Sequence, residues 1–217
     1  MNTKRAAAVL VALVLAETPS AIGAAAPELP WAVGTSWTYR VTVSRPNAFQ
    51  SGTLKRAYGG RSTYRGKAVY SLDEDNTVVR GTEHDYFVWN GRYLSLVGQR
   101  ILLKAVAIEI VYDEEVPWNV PTVRSGHALM LTHAADGDHR ITVPWNLTVV
   151  DRGPVTITVP AGTFHARRWE THFDLGAIKA LSTVDTVGLT AVREDIQQSD
   201  PQGSEHEIRE LLRGPVP

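Results

Sequence analysis

Apolar and polar residues alternate along most of this chain. Trp37, Tyr39, Val41 and Val43 interleave with Thr38, Arg40, Thr42 and Ser44, so Ser36 to Arg45 reads as a strand with one buried face. Leu54 to Tyr58, Ala68 to Leu72 and Thr77 to Arg80 continue as short strands, separated by Gly59-Gly60, Arg65-Gly66 and Asp73-Glu74-Asp75-Asn76. Asn90-Gly91 between Tyr86–Trp89 and Arg92–Leu94 is a hairpin signal, because both central residues of a type I′ turn need positive φ. Asp136-Gly137 does the same between Leu129–Thr132 and Arg140–Val143. Val106 to Tyr112 is a further strand, and Val155 to Val159 runs into the corner Pro160-Ala161-Gly162, after which Thr163 starts another.

Two stretches leave helix and strand open. Ile101-Leu102-Leu103-Lys104 would start a helix if β-branched residues did not follow within a turn. Glu205 to Arg213 has helical spacing at Ile208, Leu211 and Leu212 and also the length of a closing strand. The expected fold is all-β: a single curved antiparallel sheet or half-barrel, with at most one or two short helices. No linker divides it, so residues 25–217 form one domain.

The N-terminus departs from this alternation. Lys4-Arg5 precede an apolar run from Ala6 to Ala16 and then small residues to Ala26, the pattern of a secretory signal peptide covering residues 1–24. The run is too short for a stable membrane span. The expected location is therefore periplasmic or secreted. Loss of this segment changes the net charge from −1 to about −2, so the chain offers no general attraction to nucleic acid. The 217 residues include no cysteine, which excludes disulfides, thiolate catalysis and thiolate metal sites.

Candidate chemistry is sparse, and no catalytic residue is assigned. Nucleophile-elbow, dinucleotide and P-loop motifs are all missing from the sequence. His133, Asp136, Asp138 and His139 cluster at the Asp-Gly turn, but that turn accounts for the acids and no third histidine is near in sequence, so neither a metal nor any other cofactor is expected. Glu83 and Asp85 share a strand face at a spacing that suits paired carboxyls, with a solvated face as the simpler explanation. Val-Pro-Trp-Asn occurs at Val116–Asn119 and again at Val143–Asn146, which would place two tryptophans on one rim or only mark similar strand entries. His165, Arg167 and Trp169, followed by Thr171 and Phe173, would line one face after the Pro160–Gly162 corner unless a bulge turns His165 and Arg167 outward. With Trp37 and Trp89 they form the expected ligand wall, since a mixed apolar and cationic face suits an amphipathic ligand.

Gly34-Thr35-Ser36-Trp37-Thr38-Tyr39, Val159-Pro160-Ala161-Gly162-Thr163-Phe164 and Val187-Gly188-Leu189 resemble, in that order, a broad group of uncharacterised bacterial exported β-proteins. The resemblance implies a half-barrel akin to periplasmic lipoprotein carriers and brings no catalytic residues; Thr183 to Thr190 departs from its pattern. The expected function is binding or carriage of a lipid-like or other amphipathic ligand in the cell envelope. The alternatives are a non-enzymatic structural or interaction module with an envelope protein partner and, third, a hydrolase with an unrecognised site.

Overall fold

The computed structural model describes residues 28–216, so the signal-peptide expectation lies outside the described residues. Twelve antiparallel strands follow one another in chain order: β1 (Ser36–Arg45), β2 (Ala48–Tyr64), β3 (Lys67–Asn76), β4 (Gly81–Trp89), β5 (Leu94–Leu103), β6 (Val106–Pro117), β7 (Thr122–Ala134), β8 (Gly137–Val159), β9 (Gly162–Leu175), β10 (Ile178–Val187), β11 (Thr190–Asp200) and β12 (Gly203–Arg213). Each strand pairs with its sequence neighbours, and β1 also pairs with β12. The sheet is therefore a closed barrel, not the half-barrel or open sheet expected from the sequence.

Closure is invisible in local alternation because it rests on one long-range pairing, in which Val41 stands opposite Arg209 and Val43 opposite Glu207. No helix occurs among the described residues. Ile101–Leu103 ends β5, and Glu205–Arg213 is the seam strand β12. Pairing across the seam, with Leu211 and Arg209 turned inward, overrides the helical spacing of Ile208, Leu211 and Leu212.

Several boundaries move for identifiable reasons. Asp73–Asn76 belongs to β3 rather than to a turn, because Glu74 points into the lumen and meets a buried arginine. The turn falls instead on Thr77–Arg80, where Asn76 Oδ1 accepts the backbone N–H groups of Val78 and Val79. Gly59-Gly60 does not interrupt β2 but marks a bulge in its pairing with β3. The Asn90-Gly91 loop is four residues long, since the Asn90 side chain takes the N–H groups of Arg92 and Tyr93 and delays β5 to Leu94.

Inward residues form one apolar cluster that includes Trp37, Trp118, Trp145, Phe87 and Phe173. Trp118 and Trp145, the tryptophans of the repeated Val-Pro-Trp-Asn, are both buried in it and are not on a rim. Outward positions on β1 and β11 are polar (Thr38, Arg40 and Thr42; Arg193, Asp195 and Gln197), the reverse of the apolar-out pattern of a membrane barrel.

Candidate functional site

The lumen carries a belt of charged side chains as well as the apolar cluster. Arg56 on β2 and Arg209 on β12 are fully buried. Arg56 Nε donates to Glu74 Oε1 at 2.5 Å, and its Nη2 lies 2.9 Å from Glu194 Oε1. Arg209 donates through Nη1 to Glu194 at 3.0 Å and Glu74 at 3.4 Å, and through Nε to Glu207 at 2.7 Å. Glu74 on β3 and Glu194 on β11 are thus each shared by both guanidinium groups. These contacts cross the β1–β12 seam from inside and tie the first strands to the last. Tyr39 stands beside them, with its hydroxyl donating to Ala191 O at 3.0 Å and the Arg56 guanidinium 5.0 Å from its ring centre.

Glu83 and Asp85 on β4 complete the belt. Both are buried, so the solvated-face explanation is corrected: alternation places them inward, where closure removes the solvent that an open sheet would leave. Gln99 Nε2 on β5 donates to Glu83 Oε1 at 2.7 Å and to Asp85 Oδ1 at 2.9 Å, while Tyr112 on β6 donates to Gln99 Oε1 at 2.9 Å. Burial pushes the Glu83 carboxyl well above the usual carboxylate range, helped by Asp85 and Glu74. Burial and Glu74 likewise push Asp85 up to about 7. A protonated Glu83 donating to the Asp85 carboxylate fits both directions. Asp85 Oδ2 and Arg209 Nη2 have no hydrogen-bond partner among the described residues. A cavity of about 20 Å3, room for one water, lies between Glu74, Asn76, Thr82 and Glu83.

The residues expected to form the ligand wall differ in burial. Trp37 is buried, its indole donating to Pro215 O at 2.8 Å and its ring 4.9 Å from that of Trp31. Trp169 is buried on β9, whereas Trp89 is half-buried at the end of β4. His165 and Arg167 are exposed: His165 lies 3.2 Å from Thr156 Oγ1, and Arg167 pairs with Asp151 through its Nε at 2.9 Å. Burial does not alternate through Arg167-Arg168, since Arg167 is exposed and Arg168 half-buried while Ala166 and Trp169 are buried. Across from them β8 carries a bulge between Asp151 and Gly153, where Gly153 has φ of +85°. The Arg167 guanidinium lies over the Trp169 ring, 5.4 Å from its centre, so these two of the expected residues are brought together.

That bulge has a further effect. Beyond it the β8–β9 hairpin folds across one end of the barrel, and Ala161 N donates to Leu211 O on β12, a strand that is not a sheet neighbour. Val155, Ile157 and Phe164 pack on the apolar cluster, to which the buried Val159 belongs. Val159-Pro160-Ala161-Gly162-Thr163-Phe164 is therefore the tip of a cap. Gly162 has φ of +139°, so Gly162→Val is expected to cost about 1–3 kcal/mol through strain at a β-branched residue. His165→Ala should stay within about 0.5 kcal/mol, as for other exposed positions. Thermal melts of the two variants check this ordering, and equal melting temperatures would remove the structural role of the corner.

His133 and His139 lie on opposite faces of the β7–β8 hairpin, since His133 pairs with Asp138 and His139 with Thr132. Among the described residues no three histidine or acidic side chains are grouped to hold a metal. A recess of about 840 Å3, open to solvent, is lined by Arg45, His172, Asp174, Lys179, Gln197 and His206 among others. Sequence reasoning found Glu83 and Asp85 but missed Arg56, Glu74, Glu194 and Arg209; their inward parity within alternating strands was the available signal.

No model of a known protein family matches the chain, and comparison with curated proteins returns no match. Among solved structures it is loosely similar to one described as a "putative lipoprotein" from Parabacteroides distasonis, at 16% identity and a TM-score of 0.45, covering 85% of this chain and 96% of that one. It is also loosely similar to one described as a "putative exported protein with YmcC-like fold" from Bacteroides fragilis, at 9% identity and a TM-score of 0.40, covering 94% and 99%. Neither likeness is close enough to assign a function.

Proposed function

We propose that this chain is a non-catalytic interaction module of the cell envelope, which meets its partner from outside the barrel. One observation carries the reading: the barrel axis is occupied by the protein's own side chains. Trp37, Trp118, Trp145, Arg56 and Arg209 are among its largest fully buried residues. An amphipathic ligand would have to displace both an apolar cluster and a network of ion pairs, and breaking a buried pair is costly. The outer surface is polar on β1 and β11 and offers the open recess beside His172 and His206.

A second reading, carriage of an amphipathic ligand, is favoured by the capping hairpin. Its tip is joined to β12 by the Ala161–Leu211 hydrogen bond, and the buried Trp169 indole N–H beneath its base has no partner among the described residues. Native mass spectrometry of the protein purified from its own host separates the two. A consistently bare mass is expected, whereas a co-purifying lipid-sized adduct would overturn the interaction reading in favour of carriage.

A further inference from the structure

The β7–β8 hairpin extends further along the barrel axis than β9 does. β9 pairs with β8 only from Trp145 onward, where Leu175 stands opposite, so residues 138–143 of β8 have a strand on the β7 side alone among the described residues. All six residues from Gly137 to Thr142 are exposed. Such an edge presents unpaired backbone N–H and C=O groups to any strand that approaches.

The edge carries Asp138, His139 and Arg140, but an apolar row also reaches it. Ile110 on β6 stands opposite Met130 on β7, and Met130 opposite Ile141 on β8, so the three form a row across the sheet on its inner face. Exposure rises along that row from 1% at Ile110 through a half-buried Met130 to 55% at Ile141. An apolar row that leaves the core and ends on an exposed isoleucine lacks one more strand.

We infer that the free edge of β8 is a self-association site, at which a second copy of this chain adds its own β8 antiparallel about a two-fold axis at Ile141. The register follows from three constraints. Antiparallel pairing about an axis normal to the sheet keeps inner faces together only when odd positions meet odd positions. An axis at Arg140 would put two guanidinium groups face to face, and like charges directly opposite are destabilising. An axis at His139 would put Ile141 against Gly137 and leave the apolar row uncovered. The axis at Ile141 instead sets Ile141 against Ile141 of the second copy, Arg140 against Thr142 and His139 against Val143. The row then runs unbroken from one barrel into the other, and the contact is isologous and closed. The edge is short, ending where Pro144 O accepts the Gly176 N–H and the β9–β10 turn takes over, so the dimer is weak and reversible.

The absence of cysteine makes the test direct. Ile141→Cys would place two thiols opposite each other, where facing Cα atoms are about 4.5–5.5 Å apart and a disulfide can close. Mild oxidation of that variant, without its signal segment, is expected to give a covalent dimer. Val123→Cys, exposed elsewhere on β7, is expected to remain monomeric. In sedimentation velocity from micromolar to millimolar concentration, the wild type should dimerise reversibly. Ile141→Lys should raise the dimer dissociation constant by about tenfold or more while its thermal melt stays unchanged. A wild type that is monomeric throughout, a dimer indifferent to Ile141→Lys, or equal cross-linking of the two cysteine variants would each overturn the inference.

Discussion

Replacing Arg209 with methionine is expected to lower stability by about 3–5 kcal/mol, the usual cost of removing one member of a buried ion network. Arg209 is fully buried and holds Glu74, Glu194 and Glu207. Without it, Glu207 loses its guanidinium partner and Arg56 alone holds Glu74 and Glu194. The contrast is Arg40→Met: Arg40 pairs with Glu210 at 2.5 Å across the same β1–β12 seam, but on the exposed outer face. Exposed pairs contribute about 0–1 kcal/mol, so this variant should melt close to the wild type. Chemical denaturation of both proteins measures the difference. If both lose the same amount, the belt inside the barrel does not hold the seam.

The second large effect is a dependence on pH. Asp85 is raised from 3.8 to about 7, chiefly by burial and then by Glu74, and Glu83 is raised in the same direction. A carboxyl with a folded-state pKa above its unfolded value favours folding in its protonated form. That contribution is complete below about pH 4 and is lost as pH rises through about 7. For Asp85 alone the loss is about 4 kcal/mol when ionisation is complete. The wild type should therefore melt at a higher temperature at pH 5 than at pH 8. Asp85→Asn keeps an acceptor for Gln99 Nε2 and cannot ionise, so it should flatten this slope and melt above the wild type at pH 8. A parallel pH dependence in the two proteins would show that burial does not raise the Asp85 carboxyl.

Period-two alternation exposed most of the strands because it is local: Trp37, Tyr39, Val41 and Val43 declare their inward face within one strand. The same parity marks Arg56, Glu74, Glu194 and Arg209 as inward, but a charged residue on an inward face of an isolated strand is equally compatible with an open sheet and water. Only the β1–β12 pairing makes those positions dry, and it joins residues too distant for any window of sequence to connect. At the Trp169 face the sequence left a bulge beside the Pro160–Gly162 corner as one of two readings. The bulge lies in the facing strand at Asp151–Gly153, so β9 alone could not decide between them. Turn chemistry was easier to find than to place: the Asx contacts of Asn76 and Asn90 shift strand boundaries by several residues.

The seam also bears on how the chain reaches its final state. Ten of the strands can pair with the strand made just before and the one made just after, so hairpins assemble progressively as the polypeptide lengthens. β1 is different, because one of its edges must wait for a strand 170 residues downstream, as the Arg40–Glu210 contact measures. Ring closure of that length is entropically slow, and topology of this kind delays the rate-limiting step to the end. Until then β1 and the nascent β11 or β12 both display adhesive edges, and the guanidinium of Arg56 has Glu74 but not Glu194. Completion of the barrel is thus an all-or-none event in which edge protection and charge neutralisation arrive together, and a chain cut short before β12 would lack both.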